Sequence, residues 1–494
     1  MTEATPATGC PIAEGVRGWL GRNLELAAVV LVAVVAFYAR SWEGDLHGDP
    51  VRYAAIAKTM LATGDWLTPQ DVPGLLYANK PPLMMWLVAL DFRLFGASTA
   101  AAVFWSCLFG VMTCVMVFLA GRRFFGATAG ALGGCLLAIT PGMITNAQDL
   151  RLDSTVALAA AVAVYAAVRA ADENRPSWLL LAGVAGGLGF MTKMAAGAHV
   201  PALLVLVLAV RRPRLLVHPC FFGALLLGAA IAAPWHIAMM TGQHGQEFTS
   251  TYFGREMGER LVLGKHAARN FAASARGLAV WTFPWWLLAA YALFRWRRSG
   301  PQERAGLLVA LLWIGEVFVF ALIPRKHYDR YLTTAYPAIA LLAGCGLAAL
   351  LPERVRSAAP RLLRWLAVFQ AFVMALLPIP MHTYRCKGFV EARQMLDRLA
   401  PGPTIAFQAE NAPAGPIQGD GLWSPRAKVR YYLDRTLVNY PQAEDLAKSN
   451  VRFVIVRDTA VPRVVAAGYE EAFALDESYR LLQRLPAAAP PRQP

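Results

Sequence analysis

Asp49 and Arg52 share the stretch Gly48-Asp49-Pro50-Val51-Arg52-Tyr53, and Lys80 opens Lys80-Pro81-Pro82-Leu83 further along the same loop. A carboxylate is a general base, and the arginine fork and the lysine ammonium are the side chains that hold phosphate-like anions. The loop lies between apolar segments. Ionisable groups beside a bilayer are costly unless they pair or face a wet cavity, so they mark a candidate site. A second polar set sits at the ends of other apolar runs. It comprises Asp149 and Asp153 in Gln148-Asp149-Leu150-Arg151-Leu152-Asp153, Lys193 after Met191-Thr192, His236 in Ala233-Pro234-Trp235-His236, and Arg325, Lys326, His327, Tyr328 and Arg330.

The elements that must position these residues follow from composition. The chain has 494 residues, 57% of them hydrophobic and 16% charged, against about 25% charged in soluble domains. Several windows lack charge over about 18 residues or more, the length that spans a bilayer core. The fold class is therefore an α-helical polytopic membrane protein. Residues 1–23 show no cleavage pattern, and the run from Leu24 to Tyr38 reads as an uncleaved first helix. The net charge of +15 is spread over Arg122/Arg123, Arg175, Arg211/Arg212/Arg214, Arg295/Arg297/Arg298 and Arg354/Arg356/Arg361, all between apolar segments. That is the positive-inside pattern, in which cations meet membrane lipids, and it argues against a nucleic-acid surface.

With the N-terminus inside, the expected spans are residues 24–40, 98–120, 126–146, 153–170, 177–192, 196–210, 216–236, 275–294, 305–323, 331–350 and 361–380. This gives about 11 crossings, with 11–13 as the range. The first external loop covers about residues 41–97. In it Tyr53, Ile56, Ala57 and Met60 fall at helical spacing, which suits an interfacial helix, and 82–96 reads as a second one interrupted by Asp91 and Arg93. Keeping 82–96 outside puts every arginine cluster inside. It puts Asp49, Asp149, Asp153, Lys193 and residues 324–330 outside.

Residues 1–380 thus read as the transmembrane domain. After residue 381 the composition becomes that of a soluble domain. Phe389, Ala392, Leu396 and Leu399 mark an amphipathic helix. Thr404–Gln408, Thr436–Asn439 and Arg452–Val456 read as strands that alternate with helices at 426–434 and 442–449. We expect a small external α/β domain over 381–485 and a disordered Ala/Pro-rich tail over 486–494. Of the seven cysteines only Cys386 falls in an exported segment, so no internal disulfide is expected there, and no spacing suits zinc.

The ordered run from Gly48 to Gly96 resembles the first external loop of the lipid-linked-sugar glycosyltransferases of the GT-C superfamily. That membrane family includes 4-amino-4-deoxy-L-arabinose transferase and protein O-mannosyltransferase. The resemblance implies transfer of a sugar from a polyprenyl (undecaprenyl-type) phosphate donor to an envelope glycolipid such as lipid A. The reaction would run at the periplasmic face of the inner membrane, by direct displacement with a carboxylate base. A protein hydroxyl is the alternative acceptor. The rival class is a transporter or lipid flippase, against which stand the lack of paired halves with interrupted helices and the gathering of charge in external loops.

On this resemblance Asp49 is the catalytic base and Asp153 a second carboxylate near it. Arg52 and Lys80 take the donor phosphate, and Tyr53, Asp149, His236, Arg325, Lys326 and Arg330 are further substrate-binding residues. Bland readings stand beside these roles. Asp49 and Asp153 both suit helix N-caps, and basic and aromatic residues at helix ends suit interfacial anchors. Relatives often carry Glu where Pro50 stands. Close relatives also carry Glu, which can ligand a metal, where Asn79 stands, so the need for a divalent metal is left open.

Overall fold

The computed structural model describes residues 23–39, 41–258, 266–324, 327–355, 365, 386–410, 414–416 and 423–485. The run 361–380 apart from Trp365, the tail 486–494, and the candidates Arg325 and Lys326 lie outside the described residues. The chain divides into two compact units, residues 1–40, 104–238 and 249–379 in one, and 41–103, 239–248 and 380–494 in the other.

The first unit is helical. Among the described residues five helices are long and apolar enough to cross a membrane: Thr99–Phe125, Asp153–Asp172, Pro219–Thr241, Pro301–Leu322 and Asp329–Leu350. Two bent pairs raise this to seven, and Leu24–Tyr38, Trp178–Thr192 and His199–Arg211 are shorter apolar helices. Small residues let these helices touch, as they must where lipid offers no hydrophobic drive to association. A Cβ on Gly121 would sit 2.7 Å from the Cα of Gly130, and one on Gly344 would sit 2.5 Å from the amide nitrogen of Gly133.

Two expected straight spans are broken. Residues 126–146 form Ala127–Ala138 and Pro141–Ala147, bent by 62°, and 275–294 falls across Ala267–Trp281 and Trp285–Arg298, bent by 103°. Pro141 and Pro284 stand at the breaks, and a proline removes a ladder N–H and crowds the preceding turn. A third break falls at Lys193, whose φ of −155° and ψ of 86° separate Trp178–Thr192 from Met194–Gly197.

The second unit begins with the helix Asp49–Thr63, a hairpin of Gln70–Val72 with Leu75–Leu76, and the helix Leu83–Phe95. Gly74 takes the left-handed φ of +85° that the hairpin turn requires. The Leu83–Phe95 helix has 13 residues. It carries Asp91 and Arg93 near its C-terminal end.

The same unit holds a six-stranded sheet in the order 415–416, 436–439, 404–408, 453–457, 479–484, 469–474. Thr404–Gln408 pairs in parallel with both Thr436–Asn439 and Phe453–Arg457, and the outer pairings are antiparallel. Its core gathers Ala406, Leu446, Val454, Val456, Val464, Tyr469 and Leu482. The three expected strands are present, the last beginning at Phe453 rather than Arg452. The hairpin Tyr469–Ala474 with Tyr479–Arg484 was not anticipated.

Candidate active site

In the second unit, Asp49 is the first residue of its helix. Gly48, with φ +63°, holds the cap position before it, and Pro50 follows in the first turn, where a missing N–H costs nothing. Asp49 is half-buried. One turn on, Arg52 and Tyr53 are buried at 6% and 5% exposure. The Arg52 guanidinium lies 4.6 Å from the centre of the Tyr77 ring, and Tyr53 meets the same ring edge-on at 6.3 Å. Lys80 follows Tyr77 by three residues, and its Nζ donates to the carbonyl of Asn79 at 2.8 Å. Arg52, Tyr53 and the approach to Lys80 are thus assembled around one tyrosine.

Residues that sequence reasoning missed hold this group in place. Arg52 Nε donates to Asp71 Oδ2 at 3.1 Å, and Arg426 Nη2 donates to the same oxygen at 2.8 Å. Arg430 Nε donates to Thr59 Oγ1 at 3.3 Å, and Lys58 Nζ donates to the Tyr431 carbonyl at 3.0 Å. Burial lowers the Lys58 ammonium pKa, and the Asp434 carboxylate opposes that shift. Tyr432 donates to the Leu46 carbonyl at 2.9 Å, and the amide of Cys386 donates to Asp45 at 2.8 Å. The helix Trp423–Lys428 and its continuation Val429–Leu433 therefore fasten the first-loop segment at residues 46, 58–59 and 71. No short-range motif could reveal this, because Arg426 and Asp71 stand 355 residues apart.

In the first unit, Asp153 is the first residue of the helix Asp153–Asp172, after Leu152 at the cap position. Its Oδ1 accepts from Lys193 Nζ at 2.6 Å, with both side chains 8% exposed. The break at Lys193 frees that residue from regular helix and turns it to Asp153. Lys193 also lies 5.0 Å from the centre of the Tyr331 ring. Asp149 instead accepts from Arg151 Nε at 2.8 Å and from the Leu150 amide at 2.9 Å.

His236 turns into a buried aromatic cluster. Its Nδ1 lies 2.8 Å from the Ala232 carbonyl, which can only accept, so Nδ1 carries the proton. In the neutral ring Nε2 then accepts from the Tyr252 hydroxyl, also at 2.8 Å. Arg330 stacks over Tyr328 at 4.5 Å. A further buried pair, His199 Nδ1 with Glu316 Oε2 at 3.0 Å, joins two apolar helices. Its only sequence signal was an ionisable residue inside each apolar run. Among the described residues, no three His, Cys, Asp or Glu side chains gather so as to hold a metal ion.

A body of apolar helices, a charged first loop and a C-terminal α/β sheet define the class of the chain: a multi-pass membrane protein. The structure is similar to that of ArnT from Cupriavidus metallidurans bound to undecaprenyl phosphate, with a TM-score of 0.73 and 20% identity over 96% of this chain and 99% of that one. Residues 79–237 match the family model described as dolichyl-phosphate-mannose-protein mannosyltransferase. The sequence is similar to undecaprenyl phosphate-alpha-4-amino-4-deoxy-L-arabinose arabinosyl transferase 1 of Sodalis glossinidius, 31% identical over 66% of this chain and 58% of that protein. It is also similar to an uncharacterised protein of Aquifex aeolicus, 26% identical over 64% of this chain and 62% of the relative. The alignments thus span 58–62% of the length of these curated relatives. In sequence and in fold the chain resembles the GT-C lipid-linked-sugar glycosyltransferases.

Proposed function

We propose that the chain is a glycosyltransferase that takes a sugar from a polyprenyl phosphate and passes it to a hydroxyl of an envelope glycolipid. The acceptor oxygen attacks the anomeric carbon as the bond from that carbon to the phosphate oxygen breaks. The acceptor proton goes to Asp49, and the polyprenyl phosphate leaves with the bonding pair. Arg52 and Lys80 stabilise the charge that builds on it. The leaving group is already a good anion, so one base suffices, unlike the two carboxyl groups of glycoside hydrolysis. The observation that carries this reading is the grouping of Arg52 and Tyr53 about Tyr77, three residues before Lys80, in the loop that begins at Asp49. Asp153, with Asp149, His236, Arg325, Lys326 and Arg330, is assigned to the acceptor and to the rest of the groove.

The comparisons support the donor more firmly than the acceptor. The matched family model and the Sodalis relative name different lipids and different sugars, yet both name a lipid phosphate. A glycolipid such as lipid A is the first reading of the acceptor, on the resemblance of the first loop, and a protein hydroxyl is the second. Purified protein is expected to transfer sugar from a polyprenyl-phosphate donor and to ignore the matching nucleotide sugar. Lys80→Ala should raise KM for the donor more than KM for the acceptor. Efficient turnover of a nucleotide sugar without added lipid would sink the proposal.

We further propose 11 crossings in residues 1–380 of an inner-membrane protein, with the first loop and an α/β domain over 381–485 in the periplasm. The apolar helices already described and the run 361–380 would supply the crossings. The test is cysteine labelling with an impermeant reagent. Asp71 and Ser299 are natural loop positions on sequence grounds, but they are buried at 1% and 4% exposure, so exposed neighbours serve better. Cysteines at Pro73 and Ala414 should label from outside, and one at Gly300 only after lysis. Native Cys386 adds little background, because it is fully buried and burial pushes its thiol up to about 12. Labelling of Gly300→Cys in intact spheroplasts reverses the orientation.

A further inference from the structure

The second unit contains a charge arrangement that the reaction scheme above does not use. Asp71 is 1% exposed and lies between two arginines, Arg52 at 6% and Arg426 at 4%. Both donate to the same carboxylate oxygen, at 3.1 and 2.8 Å. A buried Arg–carboxylate pair taken alone is neutral, and a neutral pair is a poor anchor for an anion. The second arginine changes the balance. Counted over these three side chains alone, two guanidinium groups face one carboxylate. Asp71 can therefore fix the direction of Arg52 without cancelling the charge that a phosphate needs.

The geometry of Arg52 suits this. Its bond to Asp71 is made through Nε at 3.1 Å. Its guanidinium carbon lies over the Tyr77 ring at 4.6 Å, so the ring and Asp71 hold it from two sides. Arg426 is itself held in place by its helix. Arg430, four residues on, reaches Thr59 of the Arg52 helix, and Lys58 of that helix reaches the Tyr431 carbonyl. Arg426 thus approaches Asp71 from an element that grips the Arg52 helix at two further points.

We infer that Asp71 and Arg426 are positioning residues for Arg52, and that the C-terminal α/β region serves the donor site through Arg426. The inference rests on the reading of Arg52 as a ligand of the donor phosphate. It gives residues 386–485 a function that no motif in them suggests. Loss of Arg426 removes the second donor to Asp71 and the hold of its helix at that point, so Arg52 is less firmly placed and donor affinity falls.

The test uses the full-length protein in nanodiscs, with Arg426→Gln and Arg426→Lys measured beside the unchanged enzyme. Arg426→Gln is expected to raise the KM for the polyprenyl-phosphate sugar about tenfold, within the range for coupling through a packed network. The acceptor KM should stay within about twofold. Arg426→Lys, which restores the charge but not the fork, should recover most of the donor affinity. A merely structural role predicts the opposite split, because a smaller folded fraction lowers turnover and leaves KM alone. An unchanged donor KM, or donor and acceptor KM rising together, overturns positioning.

Hydrogen exchange on the same samples gives a readout independent of turnover. Arg426→Gln should speed exchange in Asp49–Thr63 and Gln70–Leu76 while Thr404–Gln408 stays protected. Unchanged exchange in the first two segments also overturns the inference. If the unchanged enzyme transfers nothing from a polyprenyl-phosphate sugar, the proposed function fails, and the exchange result still decides whether Arg426 holds the loop.

Discussion

Asp49→Asn is expected to lower kcat/KM for transfer by at least about a hundredfold, the low end of what a positioned general base contributes. That corresponds to about 2.7 kcal/mol of lost transition-state stabilisation. The substitution keeps the size and the hydrogen-bonding reach of the side chain and removes its ability to take a proton. The helix should start as before, because Gly48 rather than Asp49 holds the cap position and Pro50 still sets the first turn. Stability should therefore change by no more than about 0.5 kcal/mol, as for most substitutions away from the core. A large kinetic loss with an unshifted melting temperature assigns the base. Near-normal turnover in the purified variant removes Asp49 from the mechanism, and a matching fall in stability reassigns it to the fold.

The parts of this site that were legible in the sequence are those whose meaning is local. Asp49, Arg52 and Lys80 stand out because charge is expensive between apolar runs, and strands such as Thr404–Gln408 stand out as short apolar runs. The hairpin Tyr469–Ala474 with Tyr479–Arg484 was missed. The first of these strands lies at the sheet edge with Glu470 and Glu471 exposed, and the second reads Tyr-Arg-Leu-Leu-Gln-Arg, which has no period-two alternation. Partnerships across long stretches of chain were also invisible. Nothing near Asp71 announces Arg426, and Lys193 looked like one more helix-end cation until the helix broke there and turned it to Asp153. His236 shows both. Its motif, Pro-Trp-His, is local and legible, while its partners Ala232 and Tyr252 appear only in the structure.

The pair of Asp153 and Lys193 supplies the other large effect. At 2.6 Å and 8% exposure on each side, each charge is tolerated because the other is present. Lys193→Met should destabilise the protein by about 3–5 kcal/mol, the usual cost of stranding one member of a buried pair. Asp153→Leu should cost less, because Lys193 keeps its place over the Tyr331 ring. The double variant Asp153→Leu/Lys193→Met should lie close to the unchanged protein, because replacing a whole buried pair by apolar groups is often neutral. The coupling is then read from a double-mutant cycle of thermal or denaturant midpoints in detergent, as the departure from additivity. Additive losses would mean that the two residues do not depend on each other. The double variant also separates the two roles open to Asp153. It is folded but lacks the carboxylate, so if Asp153 serves the reaction it should be stable and inactive. If it is stable and still transfers sugar, Asp153 is there to hold Lys193, and Asp49 acts without a second carboxylate.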